Sequence, residues 1–163
     1  MKSISEYINE SSYNNAPQRV KDSIYKIEPI VKRVLEKRGN KVEESTRDED
    51  FNGIDLKVTN IHGKLLYIDV KCSDEKNDNT SNFLFTIEDI KGRSYKNKKT
   101  DYCIFINFEK KELVCISFDN LSKLVEEKLK TNKPIKGHGY YILLKKDIVR
   151  KYGHSIFDES IKR

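Results

Sequence analysis

The sequence predicts an α/β fold in which helices flank a mixed β-sheet. Three observations lead to this prediction: an apolar stripe with helical spacing near the N-terminus, a series of short apolar runs in the middle of the chain, and a second helical pattern after them. A chain of 163 residues has the length of one domain. We therefore expect a single domain over residues 1–163, in which residues 1–16 form a polar N-terminal arm.

The first helix is predicted to begin at Pro17 and to end at Gly39. Its apolar residues fall on one helical face, at Val20, Ile24, Ile27, Val31, Val34 and Leu35. Proline suits the first turn of a helix, and glycine is common just past its end. Pro29 lies inside this pattern, and because an interior proline removes a backbone hydrogen bond, we expect one helix that is kinked there.

Strands separated by polar turns are predicted for most of the remaining chain. Alternating or continuous apolar runs identify them over residues 41–45, 53–59, 65–72, 102–108, 113–118 and 140–144. Residues 83–90 fit a strand and a helix equally well. The other predicted elements are a helix from a cap at Asp119 or Asn120 to about residue 129, a loop around Pro134, and a short helix over 147–152.

Composition and charge limit the classes of function. The chain has 32 basic and 26 acidic residues and a net charge of +6, which is a modest indication of a polyanionic partner such as nucleic acid. No run of 18 apolar residues occurs, so no membrane span is predicted. The three cysteines lack the spacing of a zinc site, and their odd number suits a reducing compartment, so we expect a cytoplasmic protein.

Two aspartates in neighbouring predicted strands are the main candidates for a site. A five-residue turn centred on His62 would join the two strands, and this register places Asp55 opposite Asp69. Facing carboxylates on an exposed sheet repel each other by a few tenths to about 1 kcal/mol. A divalent cation between them would turn this repulsion into binding, and hard oxygen ligands suit Mg²⁺.

Lys71 belongs to the same candidate site. Residues two apart in a strand share a face, so Asp69 and Lys71 point to one side while Ile68 and Val70 point into the core. An ammonium group beside a bound metal can hold or activate a water molecule against a phosphate. The metal itself would stabilise the charge that develops on the phosphoryl oxygens. This combination indicates phosphodiester hydrolysis.

An ordinary structural explanation fits the same residues. The tripeptide Asp/Glu-x-Lys starts at six positions in the chain, so by itself it indicates almost nothing. Only its apolar strand and the matching aspartate on the partner strand distinguish the triplet at Asp69. A solvated sheet face, in which Lys57 and Lys71 neutralise Asp55 and Asp69, would produce the same sequence.

The order of helix, Gly53-Ile54-Asp55, hairpin and Asp69-Val70-Lys71 resembles the PD-(D/E)xK nuclease superfamily, which includes many restriction endonucleases and archaeal-type Holliday junction resolvases. Gly-Ile-Asp stands where that family has Pro-Asp, so the proline is replaced, and Asp-Val-Lys stands where it has Asp/Glu-x-Lys. The motifs cover roughly residues 24–71, with a spacing similar to that of the resolvase branch. The resemblance implies a restriction endonuclease-like core.

The resemblance also implies a metal-dependent DNA endonuclease. Asp55 and Asp69 would bind Mg²⁺, or Mn²⁺ in its place, and the Val70 carbonyl oxygen would be a further ligand. Lys71 would position or deprotonate the attacking water and offset charge on the phosphate. Nucleases of this class often act as dimers, so a homodimer is compatible with this interpretation.

A glutamate on the first helix is also common in the superfamily. Glu28 lies eleven residues before Gly39, much as in resolvase-like members, and would bind a second cation or orient water. Glu36 is the competing candidate, because Pro29 makes the helix geometry near Glu28 irregular. Either residue is equally explained as an ordinary charge on a solvent-facing helix.

A second register of the motif is also open. In it, Asp55-Leu56-Lys57 is the triplet and Glu43 or Glu44 is the upstream acid. This alternative ranks lower, because it leaves Asp69 and Lys71 on the following strand without a role.

Five positive charges within nine residues follow the candidate site in sequence, at Lys91, Arg93, Lys96, Lys98 and Lys99. Beside a nuclease site such a loop would track DNA phosphates and add affinity that depends on salt but not on sequence. A solvated lysine-rich loop is the ordinary alternative. For the whole chain, the competing hypothesis is a nucleic-acid-binding module on the same fold that does no catalysis.

Overall fold

A computed structural model describes residues 26–72 and 75–163 of the chain. The predicted arm over residues 1–16 and the first part of the predicted helix lie outside the described residues. In chain order the elements are α1 (Glu28–Lys37), β1 (Lys41–Glu44), α2 (Arg47–Phe51), β2 (Leu56–Thr59), β3 (Leu65–Lys71), β4 (Asn82–Glu88), β5 (Tyr102–Asn107), β6 (Glu112–Ser117), α3 (Phe118–Leu129), β7 (Ile135–Gly137), β8 (Gly139–Lys145), α4 (Lys146–Tyr152) and β9 (His154–Phe157).

The strands form two sheets. The larger sheet has the order β1-β2-β3-β5-β6-β9, and the smaller one has the order β4-β8-β7. Strands β3 and β5 are parallel, whereas all other neighbours in both sheets are antiparallel. The fold is therefore α/β with a mixed sheet flanked by helices, which confirms the predicted fold class. None of the helices in the described ranges is long and apolar enough to cross a membrane.

Helix α1 covers one face of the larger sheet. Its buried residues Val31 and Val34 pack in one core with Leu56 of β2 and Ile68 of β3. Pro29 lies in the first turn of the α-helix, where a missing N–H leaves no bond unmade. The two residues before this α-helix, Lys26 and Ile27, form a π-helical turn, so the regular helix changes its winding just before Pro29.

The smaller sheet and helix α3 cover the opposite face of the larger sheet. Phe85 of β4 is fully buried, and its ring centroid lies 5.6 Å from that of Tyr95 and 6.5 Å from that of Phe105. Leu121 and Val125 of α3 belong to the same core. Because both faces of the larger sheet are covered, side chains on the central strands are buried whichever way they point.

The hairpin between β2 and β3 has the predicted register. Leu56 pairs with Ile68 and Val58 with Leu66, so the numbers of paired residues sum to 124. The backbone N–H of Asp55 donates to the Ile68 carbonyl oxygen at 2.8 Å, which continues the pairing beyond β2. This register sets Asp55 opposite Asp69.

Several elements differ from the prediction. The segment 83–90, which fitted a strand and a helix equally well, is mostly part of strand β4, which ends at Glu88. The loop that was expected around Pro134 contains strand β7. Strand β9 and helix α2 have no predicted counterpart. The cap of α3 is Ser117, whose hydroxyl accepts a hydrogen bond from the Asn120 N–H at 3.2 Å, and not Asp119 or Asn120. Strands as short as β7 and β9 form only because partner strands supply their hydrogen bonds, and a local sequence pattern cannot report this.

Because one face of the larger sheet is covered by the smaller sheet, we expect two phenylalanine substitutions to differ in their effect on stability. Phe85→Ala removes a fully buried ring, so we expect it to lower the free energy of unfolding by about 3–5 kcal/mol. Phe157→Ala removes a ring that is 59% exposed on β9 and should lower it by less than about 1 kcal/mol. Urea denaturation followed by circular dichroism measures both values. Equal losses would show that the second layer does not bury this face in solution.

Candidate active site

Asp69 is buried at the centre of the candidate site. Its side chain lies on the face of β3 that the smaller sheet covers, and the residue is only 3% exposed. Its Oδ2 atom lies 3.0 Å from the Lys71 Nζ atom and 2.8 Å from the Lys98 Nζ atom. Burial alone would raise the pKa of Asp69, but the two ammonium groups hold this pKa below its usual value. Asp69 is therefore a carboxylate ion inside the fold.

Asp55 lies beside Asp69 across the hairpin. The Val70 N–H donates to the Asp55 Oδ2 atom at 2.7 Å. Burial, followed by the negative charges of Asp69 and Glu28, raises the pKa of Asp55 well above its usual value. The two aspartates of the site therefore have pKa values shifted in opposite directions.

Glu28 joins this group from the first turn of α1. The residue is 6% exposed, and burial raises its pKa to about 8, with further contributions from Asp50, Glu44 and Asp69. Glu36 lies near the other end of the same helix and is exposed. The structure thus brings Glu28, and not Glu36, close to the two aspartates.

Helix α2 adds Asp50, a carboxyl group that the sequence analysis missed. Thr46 begins this helix with a capping box: its hydroxyl accepts from the Glu49 N–H at 3.3 Å, and its own N–H donates to the Glu49 carboxylate at 2.9 Å. Gly53, with φ +81°, follows the helix end. Burial raises the pKa of Asp50, and the charge of Asp69 raises it further. The Thr-x-x-Glu pattern at 46–49 was the available signal for this helix.

Lys98 is one of the residues expected to bind DNA, and in the structure its ammonium group lies inside the candidate site. Its ammonium group reaches from the loop after β4 to the buried Asp69 carboxylate and lies beside Lys71. Burial lowers the pKa of Lys71, and the neighbouring Lys98 ammonium group lowers it further, against the opposing charge of Asp69. No sequence pattern separates Lys98 from the other lysines of its loop, because its direction depends on how the loop packs.

The other basic residues of the loop lie at its surface. Lys91, Lys96 and Lys99 are exposed. Arg93 is exposed as well, but its Nε atom is bound to the Asp89 carboxylate at 2.6 Å. Of the five basic residues that were expected to contact phosphates, four are therefore exposed, and one of these four, Arg93, is paired with Asp89. The fifth, Lys98, lies inside the site.

The two alternative interpretations of the motif agree with the structure only in part. Asp69 is buried and does not lie on a solvated sheet face, but Lys71 does neutralise it, as that alternative expects. Lys57, the lysine of the second register, lies opposite Glu43 in the strand pairing and 3.2 Å from the Glu49 carboxylate. The ammonium groups that contact the buried carboxylate are those of Lys71 and Lys98.

The donor set fits a divalent cation only in part. In residues 26–72 and 75–163 no three side chains of His, Cys, Asp or Glu are placed to hold a metal ion together. The implied ligand set with Glu28 as a third carboxylate is thus not preformed. The Asp69 charge does raise the pKa of Asp55, and a cation bound between the two carboxyl groups would compensate this unfavourable interaction.

The buried position of Glu28 predicts a pH-dependent stability. Its pKa rises from 4.5 to about 8 on folding, so the folded state loses stability as the pH rises from 4.5 to 8. Glu28→Gln stays neutral and should exceed the wild type in free energy of unfolding by roughly 2–4 kcal/mol at pH 8, with little difference at pH 4.5.

Urea denaturation at the two pH values measures this difference. Glu36→Gln is the matched control, because it changes an exposed glutamate of the same helix and should show no pH-dependent gain. A gain for Glu36→Gln equal to that for Glu28→Gln would contradict the placement of Glu28.

Comparison with known proteins gave one distant structural similarity. No protein-family model matches the chain, and no curated protein is significantly similar to it. The structure is similar to that of a bacterial homing endonuclease, I-Ssp6803I, with a TM-score of 0.43 and 18% sequence identity over 76% of this chain and 77% of the other. The assignment of chemistry to this protein therefore rests on the site described above.

Proposed function

We propose that this protein is a metal-dependent DNA endonuclease that hydrolyses phosphodiester bonds. The observation that carries this proposal is the buried Asp69 carboxylate, which is in contact with Lys71 and whose neighbour Val70 donates its N–H to the Asp55 carboxyl group. These are the three groups of the PD-(D/E)xK motif, and the hairpin register brings them to one side of the sheet. Buried charges with strongly shifted pKa values are typical of functional sites.

Mg²⁺ is the cofactor that this arrangement suits, and Mn²⁺ would satisfy the same ligands. Asp55 and Asp69 would hold the ion, with the Val70 carbonyl oxygen as a further ligand. Two carboxylates and one carbonyl oxygen leave half of an octahedral shell to water and to the phosphate, which is the usual mode of Mg²⁺ binding. Glu28 stands next to this pair and would orient a water molecule or take part in binding a second cation.

Lys71 is the group that would act on the attacking water. A bound metal supplies Lewis-acid stabilisation of the phosphate and a more acidic water. Lys71 would position or deprotonate this water and offset charge on the phosphate, and burial lowers the pKa of Lys71, which makes the transfer of a proton from this group easier. Its Nζ atom lies 3.0 Å from Asp69 and 5.5 Å from the centre of the Phe85 ring, so the group is held in place before substrate arrives.

DNA would approach along the loop between β4 and β5. This loop is joined to the end of α2 by a hydrogen bond from the Lys99 N–H to the Asn52 carbonyl oxygen at 2.9 Å. Its exposed lysines Lys91, Lys96 and Lys99 are therefore carried by the same segment that sends Lys98 into the site. Lysines placed beside a catalytic pocket position the phosphate backbone without reading its sequence.

Cleavage assays test the catalytic roles. With Mg²⁺ and a panel of linear, nicked, flapped and four-way DNA, we expect Asp55→Ala and Lys71→Ala each to lower the cleavage rate by about 100-fold or more. Lys71→Ala should leave DNA affinity nearly unchanged. Lys123→Ala, which removes an exposed lysine of α3, is the matched control and should cut like the wild type. Undiminished cutting by either site variant would refute the assignment.

The ion pairs of Asp69 with Lys71 and Lys98 favour a second candidate function, a nucleic-acid-binding module without catalysis. In that case the buried carboxylate would be compensated by the lysines alone. Calorimetric titration with Mn²⁺ separates the two functions. A catalytic site should bind Mn²⁺ in the wild type and lose this binding in Asp69→Ala, whereas a titration of the wild type without heat would favour the binding module.

The salt dependence of DNA binding tests the surface lysines. Lys91→Ala, Lys96→Ala and Lys99→Ala combined should reduce the slope of log K against log salt by about 2–3, because each lysine that neutralises a phosphate contributes close to one. Fluorescence anisotropy in the Lys71→Ala background measures binding without cutting. An unchanged slope would place the DNA elsewhere on the protein.

A further inference from the structure

We propose that Lys98 is a built-in counter-ion of the metal site, which occupies the Asp69 carboxylate until a divalent cation displaces it. This inference rests on the proposed function, because it assigns Lys98 a role in the occupation of the same site. Lys98 is then a positioning residue that sets how strongly the site binds metal and where the loop lies.

Two ammonium groups share a single carboxylate oxygen. Lys71 and Lys98 both contact the Asp69 Oδ2 atom, at 3.0 and 2.8 Å. Two positive charges this close repel each other, and they are tolerated because other acidic groups surround them. A dication that binds Asp69 would face both ammonium groups at a similar distance. One of the two lysines has to withdraw for the cation to bind well.

Lys98 is the lysine that can withdraw. Lys71 lies at the end of β3, is paired in register with Phe105 of β5, and has its ammonium group over the Phe85 ring. Its position is therefore fixed by the sheet. Lys98 lies just after a short 3-10 turn over Tyr95–Asn97, in a loop segment with extended backbone. Moving it breaks no strand pairing.

The packing of the loop nevertheless places the Lys98 ammonium group beside Asp69. The stem of Lys98 passes over Gly53, where an added Cβ atom would lie 2.7 Å from the Lys98 Cγ atom and 2.8 Å from its Cδ atom. Immediately after it, the Lys99 N–H donates to the Asn52 carbonyl oxygen at 2.9 Å. The Asp69 contact is thus one of two attachments that hold this segment against the end of α2.

The consequence is a link between metal occupancy and the DNA-facing loop. Without metal, Lys98 compensates a buried charge that would otherwise have to be neutralised by protonation. With metal bound, the same ammonium group is released toward the mouth of the site, where a DNA phosphate can take the place of Asp69. Metal and DNA would then each favour the binding of the other.

Calorimetric titration of the full chain with Mn²⁺, without DNA, tests this proposal. Lys98→Met keeps the apolar stem and removes the competing charge, so we expect its Mn²⁺ dissociation constant to fall by about tenfold or more relative to the wild type. Lys96→Met is the matched control, because it removes an exposed lysine of the same loop two residues away and should change the constant by less than about twofold.

Each outcome has a separate meaning. Binding that is unchanged or weaker in Lys98→Met, with Mn²⁺ still bound by the wild type, overturns the counter-ion role and leaves the proposed nuclease function intact. Absence of Mn²⁺ binding in both proteins overturns the proposed function and this inference together.

Hydrogen exchange of the wild type gives a measurement that needs no variant. If metal displaces Lys98, the amides of Lys98 and Lys99 should exchange faster with Mn²⁺ than without it, because the Asp69 contact no longer helps to hold this part of the loop against the end of α2. Exchange of β3 should become slower or stay the same. A loop that exchanges at the same rate or more slowly with Mn²⁺ would overturn the proposal.

Discussion

The buried charge of Asp69 is the constraint on which the site depends. A carboxylate ion inside a protein is strongly unfavourable unless oppositely charged groups and hydrogen bonds replace the lost water. Two lysines supply these contacts, one from the strand itself and one from a distant loop. The burial arises because the smaller sheet lies over the face of β3 that carries Asp69. The smaller sheet thus forms an apolar core on this face and, by burying Asp69, also determines the electrostatics of the site.

The carboxyl groups around Asp69 differ in charge because their surroundings differ. The lysines lower the pKa of Asp69, whereas burial and neighbouring negative charges raise the pKa values of Asp55 and Glu28. Groups of one chemical type with pKa values moved in opposite directions are a recurring property of sites that exchange protons or bind cations. The second acidic pair, Glu28 and Asp50, comes from helices on either side of β1, so the site depends on several separate elements.

Local sequence patterns were sufficient to predict the elements that bury a regular apolar face, which are the amphipathic helix and the strands with alternating apolar residues. The hairpin register that sets Asp55 opposite Asp69 follows from the turn length and from the alternation of apolar residues. Helix α1 follows from its apolar face. Strands β7 and β9 did not follow, since both are short runs whose strand conformation depends on a partner strand, the adjacent β8 for β7 and the distant β6 for β9.

The sequence by itself determined the mixed α/β class, the register of the β2–β3 hairpin, and the side of β3 on which Asp69 and Lys71 lie, because these follow from patterns of residues close together in the chain. Only the tertiary structure decided that this side is buried, that Glu28 and not Glu36 faces the aspartates, and that Lys98 leaves its basic loop to bind Asp69. These are contacts between segments far apart in sequence, and their energies depend on burial and distance, which residue spacing does not encode.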